Sequence, residues 1–100
     1  MKETGGSIAK WADETFGKEV LDGNVFERAD GEMAELWDKI VSHPRSPSGI
    51  AEECADVVIV LARLAHRCGF DIFEMVDRKM EINRGREWVL DGKGQGQHKK

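Results

Sequence analysis

Two carboxylate pairs with one spacing, Glu32-Met33-Ala34-Glu35 and Glu53-Cys54-Ala55-Asp56, stand on either side of His43-Pro44-Arg45-Ser46-Pro47-Ser48, the segment that holds both prolines of the chain. Residues three apart on a helix are neighbours, with Cβ atoms about 5–6 Å apart. Proline removes a backbone donor and restricts the residue before it, so the segment between the pairs reads as a loop. Short links of this kind join antiparallel helices. Two such helices would bring four oxygen-bearing side chains to one point. Anions that close repel one another and take up protons unless a cation compensates them. An all-oxygen donor set suits Mg²⁺ or Mn²⁺.

The remainder of the chain also reads as helical. A first helix is expected from Ser7, as its cap, to Phe16, with Ile8, Trp11, Ala12 and Thr15 along one stripe and Gly17 ending it. Lys18 to Gly23 reads as a connector, with Gly23 and Asn24 as turn formers. The second helix is expected from Val25 to Val41, its apolar positions Val25, Ala29, Met33, Leu36 and Ile40 bordered by Glu32 and Glu35. A third should start near Ser48 and run through Val57-Val58-Ile59-Val60-Leu61 to Gly69. Its β-branched run resembles a strand, but the apolar pattern extends to Ala65 without a turn signal, and that length favours a helix. Such a helix is apolar on most sides, which in a chain this short implies cover from a second subunit. Asp71 and Glu74 form a capping-box pattern for a fourth helix that reaches about Arg84. Two regions result: a helical domain over residues 1–90 and a glycine-rich basic tail over 91–100.

Composition narrows the function classes. One hundred residues make one small domain, marginal unless it packs well or associates. With 15 Lys+Arg against 19 Asp+Glu, a net charge of −4 argues against a protein that grips a nucleic-acid polymer. The longest apolar run, Val57 to Ala62, falls short of the roughly 20 residues of a membrane span. No basic-then-apolar leader pattern opens the chain. Cys54 and Cys68, on one expected helix, would lie about 21 Å apart at about 1.5 Å rise per residue, too far for a disulfide. Free thiols fit a reducing cytoplasm, that of a bacterial cell or a phage-infected host.

The competing reading of the carboxylates is ordinary surface charge, with Asp56 ion-paired to Arg63 or Arg67. Against it, Asp56 immediately precedes the most apolar segment, where a carboxylate needs a partner or a metal. Di-iron bundles repeat Glu-x-x-His, and none of His43, His66 or His98 has a glutamate three residues before it.

The ordered set Glu32-x-x-Glu35 and Glu53-x-x-Asp56 resembles the motif of the MazG-like all-α nucleoside triphosphate pyrophosphohydrolases. The likeness extends over most of the chain. Trp11-Ala12-Asp13-Glu14-Thr15-Phe16-Gly17, Glu52 to Val60, and Lys79 to Trp88 followed by Asp91-Gly92 resemble the short phage and bacterial branch described as dATP/dGTP diphosphohydrolases. One departure is Gly31, where many relatives carry a further glutamate. The resemblance implies hydrolysis of a purine deoxynucleoside triphosphate, dGTP or dATP, to the monophosphate and pyrophosphate, with Mg²⁺ or Mn²⁺ held by Glu32, Glu35, Glu53 and Asp56. It implies Glu35 or Glu52 as acceptor of the water proton. Lys79 and Asn83 match the family's Lys-x-x-x-Asn and would contact phosphate or sugar, with Arg86 and Trp11 as further substrate contacts. The tail would fold over a neighbouring subunit's site.

The expected protein is thus an all-α, four-helix, bundle-like MazG-type chain, assembled as a homotetramer of tight dimers. It acts on a deoxynucleoside triphosphate, without a nucleic-acid polymer or a membrane as partner. The readings from other classes are a non-catalytic helical assembly with structural carboxylates and a nucleotide-binding sensor.

Overall fold

Side-chain caps decide where the helices begin. The computed structural model describes residues 2–99; Met1 and Lys100, the last residue of the expected tail, lie outside it. Its elements are α1 (Gly5–Phe16), α2 (Asp22–Val41), α3 (Pro47–Arg67), α4 (Ile72–Arg84), β1 (Trp88–Leu90) and β2 (Gly96–His98).

The first three helices start earlier than their apolar periodicity suggests. Thr4 Oγ1 accepts from the Ser7 N–H at 3.0 Å and Ser7 Oγ accepts from the Thr4 N–H at 2.8 Å, so Ser7 is the inner partner of a capping box and Thr4 is the cap. In α2 the Leu21 N–H donates to Asn24 Oδ1 at 3.3 Å, which draws Gly23 and Asn24 into the first turn in place of a connector. Ser46, not Ser48, caps α3 through the Gly49 N–H at 3.1 Å. Pro47 then takes the first helical position, where its missing N–H goes unneeded. Only residues 42–46 remain as the link between α2 and α3.

Asp71 caps α4 as expected, accepting from the Glu74 N–H at 3.0 Å. Its other oxygen accepts from the Gly5 N–H of α1 at 2.5 Å, so one carboxylate serves the positive ends of two helices. Glycine is needed at that approach, because a Cβ on Gly5 would lie 2.5 Å from the Asp71 oxygen.

α3 is the central element, packed most extensively on α2, then on α1, and least on α4. The buried apolar residues are mostly small: Gly5, Ile8, Ala9 and Ala12 of α1, Val25 and Ala29 of α2, and Ala62 of α3. Short side chains let the helices approach closely. They also leave Trp11 and Thr15 outside the buried face of α1. The buried stripe of α2 is Val25, Ala29, Glu32; Met33, expected inside, is 52 % exposed. Val57, Ile59 and Val60 of α3 are half-buried, while Val58 and Leu61 are exposed. Among the described residues no large side chain is fully buried, and the radius of gyration is 16.0 Å. A compact domain of this length has about 13 Å.

The expected all-α chain carries one β addition. β1 and β2 pair antiparallel, Val89 opposite Gln97, with Gly92 (φ +78°) and Gly94 (φ +79°) in the turn. The Trp88 and His98 rings meet edge to face at 6.2 Å, and Trp88 Nε1 donates to the Asn83 carbonyl at 2.9 Å. Glycine content suggested an irregular tail; cross-strand pairing of Trp88 with His98 and close backbone approach at Gly96 explain the hairpin.

The Asp71 carboxyl is held below its ordinary value of 3.8, first by the Glu74 N–H, with the Gly5 and Phe73 N–H groups and the charge of His66 adding and partial desolvation opposing. A carboxyl lowered on folding contributes stability above its unfolded value, and that stability is lost as pH falls through the lowered one. Asp71→Asn should therefore lower Tm at pH 7, and the gap to the native chain should narrow as pH falls below 3.8 in thermal melts across pH. A gap that stays constant down to acid pH contradicts the double-cap assignment.

Candidate functional site

The seam between α2 and α3 holds the first carboxylate pair against the second. Glu32 occupies a core position of α2, only 4 % exposed, where helical spacing from Val25 and Ala29 would place an apolar residue. One oxygen each of Glu32, Glu35 and Glu53 lie within 4.8 Å of one another. Glu53 is half-buried and Glu35 exposed. Arg28, one turn earlier on α2, meets Glu32 Oε1 at 2.7 Å, while Glu32 Oε2 and Glu53 Oε2 are buried without a hydrogen-bond partner. An unsatisfied buried polar atom costs about 1–3 kcal/mol, more when charged. Three converging carboxylates with two orphaned buried oxygens fit a hard divalent cation, whose ligands are oxygen atoms.

Asp56 stands outside this trio. It is exposed on α3 and lines the adjoining cavity together with Glu32. The ion pairs that would make it an ordinary surface charge are not formed among the described residues. Arg63 instead meets Asp13 at 3.3 Å, and Arg67 meets Asp22 at 2.6 Å. Glu52 is exposed beside Glu53 and is not part of the converging group.

The cavity, about 290 Å³, opens between α1, α2 and α3. Its carboxylate end is formed by Glu32 and Asp56, with Arg28 alongside. Val20, Val25, Ile59 and Val60 make apolar walls, and Trp11 and Phe16 stand edge to face with centroids 5.5 Å apart. That volume sits at the small end of ligand clefts, which run from about 300 to 1,000 Å³. Trp11, expected to touch substrate, is at this cavity.

Two arginines fix the connector that closes the apolar end. Arg63 Nη2 donates to the Gly17 carbonyl at 2.7 Å and to Asp13, and its guanidinium carbon lies 6.0 Å from the Phe16 ring centroid. Arg67 Nη2 donates to the Val20 carbonyl and its Nε to Asp22 Oδ1 at 2.6 Å. Arg63 Nε is buried with no acceptor.

The other expected substrate residues lie elsewhere in the single chain. Lys79 is exposed on α4, Asn83 half-buried near its end and Arg86 half-buried just beyond it; none lines the cavity. Among the cavity residues, Phe16, Val20, Asn24, Arg28 and Arg63 are not expected at the site from sequence. Arg28 had a visible signal, its four-residue spacing to Glu32. Asn24 reads as a turn former in sequence, and Arg63 reads as a partner for Asp56. The tertiary contacts that reassign them leave no local trace. Both cysteines are free and exposed, as their separation requires.

Residues 26–98 match the model of the MazG-like family. A dATP/dGTP diphosphohydrolase of Salmonella phage PMBT28 is 35 % identical over 91 residues, covering 91 % of this chain and 29 % of the phage protein. This chain therefore spans less than a third of that relative's length. Among solved structures, a MazG-like pyrophosphohydrolase of cyanophage S-2L, bound to dGDP and three catalytic Mn²⁺ ions per active site, is 28 % identical. It matches with a TM-score of 0.71 over 96 % of this chain and 93 % of that one. With the family's model covering α3, α4, the hairpin and nearly all of α2, and with both carboxylate pairs inside that match, the chain belongs to the MazG-like family.

Proposed function

We propose that this chain hydrolyses a purine deoxynucleoside triphosphate, dGTP or dATP, to the monophosphate and pyrophosphate, using Mg²⁺ or Mn²⁺. The observation that carries the reading is the pair of orphaned buried oxygens on Glu32 and Glu53, converging with Glu35 beside a cavity with apolar walls. A ligand that needs a cation at one end and an apolar pocket at the other matches a nucleotide. The dGDP and Mn²⁺ of the cyanophage protein and the substrate in the phage relative's name support that choice.

The residues divide the work. Glu32, Glu35, Glu53 and Asp56 would hold the cations, which when bound supply charge neutralisation for the triphosphate and activation of water. Glu35 or Glu52 takes the water proton; Glu52 stands free of the converging trio and Glu35 belongs to it. Trp11 walls the base end. Lys79, Asn83 and Arg86 act as phosphate and sugar contacts, brought to the site by assembly. The expanded single chain, with Trp37 62 % and Leu90 80 % exposed, supports a homo-oligomer, which we propose is a tetramer built from dimers. The hairpin of one copy then covers the site of another. No described helix is long and apolar enough to cross a membrane, and the cytoplasm of a bacterial cell or phage-infected host supplies the substrate.

Metal binding is testable without turnover. Mn²⁺ at 100 times its Kd should stabilise the native chain by about 2.7 kcal/mol. Glu53→Gln should remove most of that gain while raising Tm in chelator, since it neutralises one of three repelling carboxylates. Equal Mn²⁺ stabilisation of both proteins contradicts the cation site.

Activity should appear as pyrophosphate released from dGTP or dATP with Mn²⁺ and abolished by chelator. Glu53→Gln and Asp56→Asn should each lower kcat/KM by at least about a hundredfold, the scale on which lost electrostatic groups act. Metal-dependent nucleotide binding without release would instead identify a sensor. Absence of both would leave a helical assembly with structural carboxylates.

A further inference from the structure

We infer that Arg28 is a resident counterion of the carboxylate cluster, which competes with a cation for Glu32 and passes to the phosphates of a bound nucleotide; the phosphate half rests on the nucleotide reading above. Arg28 Nη2 meets Glu32 Oε1 at 2.7 Å from one turn earlier on α2. Helix stability does not account for the pair, because a cation on the N-terminal side of its anion is the weaker order at this spacing. Charge compensation does. The Glu32 side chain is 5 % exposed and that of Arg28 70 %, so the guanidinium reaches in from water to a carboxylate that packing holds in place. It satisfies one oxygen of Glu32; the other is buried without a partner, in a group where oxygens of Glu32, Glu35 and Glu53 lie within 4.8 Å of one another. One positive charge thus stands against three carboxylates that repel.

A cation drawn to the same carboxylate meets the charge of Arg28, so Arg28 holds cation affinity down. That is the reverse of an ordinary supporting partner, which orients a ligand side chain and whose loss weakens metal binding. Among the described residues Glu32 is the one salt-bridge partner of Arg28, and the exposed guanidinium is free to leave it. Arg28 also lines the cavity, together with Glu32 and Asp56 and with the apolar walls of Val25, Ile59 and Val60. A nucleotide with its base against those walls and its charged end toward the carboxylates would bring phosphate oxygens to this side chain. Guanidinium donors pair with phosphate in a bidentate fork. Arg28 therefore exchanges a carboxylate for a phosphate. Its charge opposes a cation that binds alone and favours nucleotide and cation binding together, so each raises the affinity for the other.

Calorimetric titration with Mn²⁺ alone separates a competitor from a supporting partner by sign. Arg28→Gln keeps an N–H donor for Glu32 and removes the charge. It should bind Mn²⁺ about tenfold more tightly than the native chain, whereas loss of a supporting partner weakens a metal by about 10–100-fold. In chelator the variant should melt below the native chain, because nothing then offsets the three carboxylates. With Mn²⁺ saturating, it should bind dGDP about tenfold more weakly. Arg28→Lys keeps the charge without the fork, so it should match the native Mn²⁺ affinity and lose part of the dGDP affinity. Weaker or unchanged Mn²⁺ binding by Arg28→Gln overturns the counterion role and leaves the cation site and the hydrolase intact. Unchanged dGDP affinity overturns the phosphate contact. A native chain that binds Mn²⁺ but no dGDP removes the nucleotide reading and the phosphate contact together, and one that binds no Mn²⁺ removes the cation site and the counterion with it. Should Arg28→Gln fail to fold, Arg28→Met carries the same comparison.

Discussion

A carboxylate in the position of a core residue governs this molecule. Glu32 follows Val25 and Ala29 in the buried stripe of α2, at the seam where α2 and α3 make their most extensive contact. Arg28 neutralises one of its oxygens, but the other is buried beside an equally unpartnered oxygen of Glu53. Two helices joined by a link of five residues, 42–46, cannot separate to hydrate these groups without giving up that contact. The fold therefore holds anionic oxygens together at a cost that a cation would reverse. That is the preorganisation a metal site needs: the ligands are placed by helix packing before the ion arrives.

The same close packing explains the thin interior. α1 buries glycine and alanine around Ile8, and α3 buries only Ala62, so the helices approach closely but remove little apolar surface from water. Trp37, Ile40 and Val41 toward the end of α2 and Val58 and Leu61 of α3 remain exposed. An apolar surface of that extent on a chain of 100 residues is what a subunit interface requires, and the proposed tetramer would use it. Lys79, Asn83 and Arg86, remote from the cavity in one chain, then acquire a reason for their position through association.

The carboxylate pattern was legible because helical spacing is a local rule, and the four helices were legible for the same reason. Local rules succeeded at the start of α4, where Asp71 is the cap, and failed at the starts of the other helices. Ser7 and Ser48 look like caps, but Thr4 and Ser46 hold the hydrogen bonds, because a cap is chosen by backbone geometry outside the helix and not by residue type alone. Met33 looks like a core residue, yet it is Glu32 that turns inward, since the 3.6-residue period carries the stripe from Ala29 to position 32 as readily as to 33. The hairpin was hidden for a different reason: Trp88 and His98 lie ten residues apart across a glycine-rich turn, and neither strand has the alternating apolar pattern that marks a buried face.

Arg63 shows why the cavity was the least legible part. It lies seven residues after Asp56, two helical turns along the same face of α3. From there it fastens the end of α1 through Gly17 and Asp13 and stands over Phe16, with its Nε buried. One guanidinium thus ties the end of α1, and with it the aromatic wall, to α3. Removing it would free the end of α1 and the aromatic wall together, so the cavity depends on tertiary contacts that no local pattern in the sequence announces.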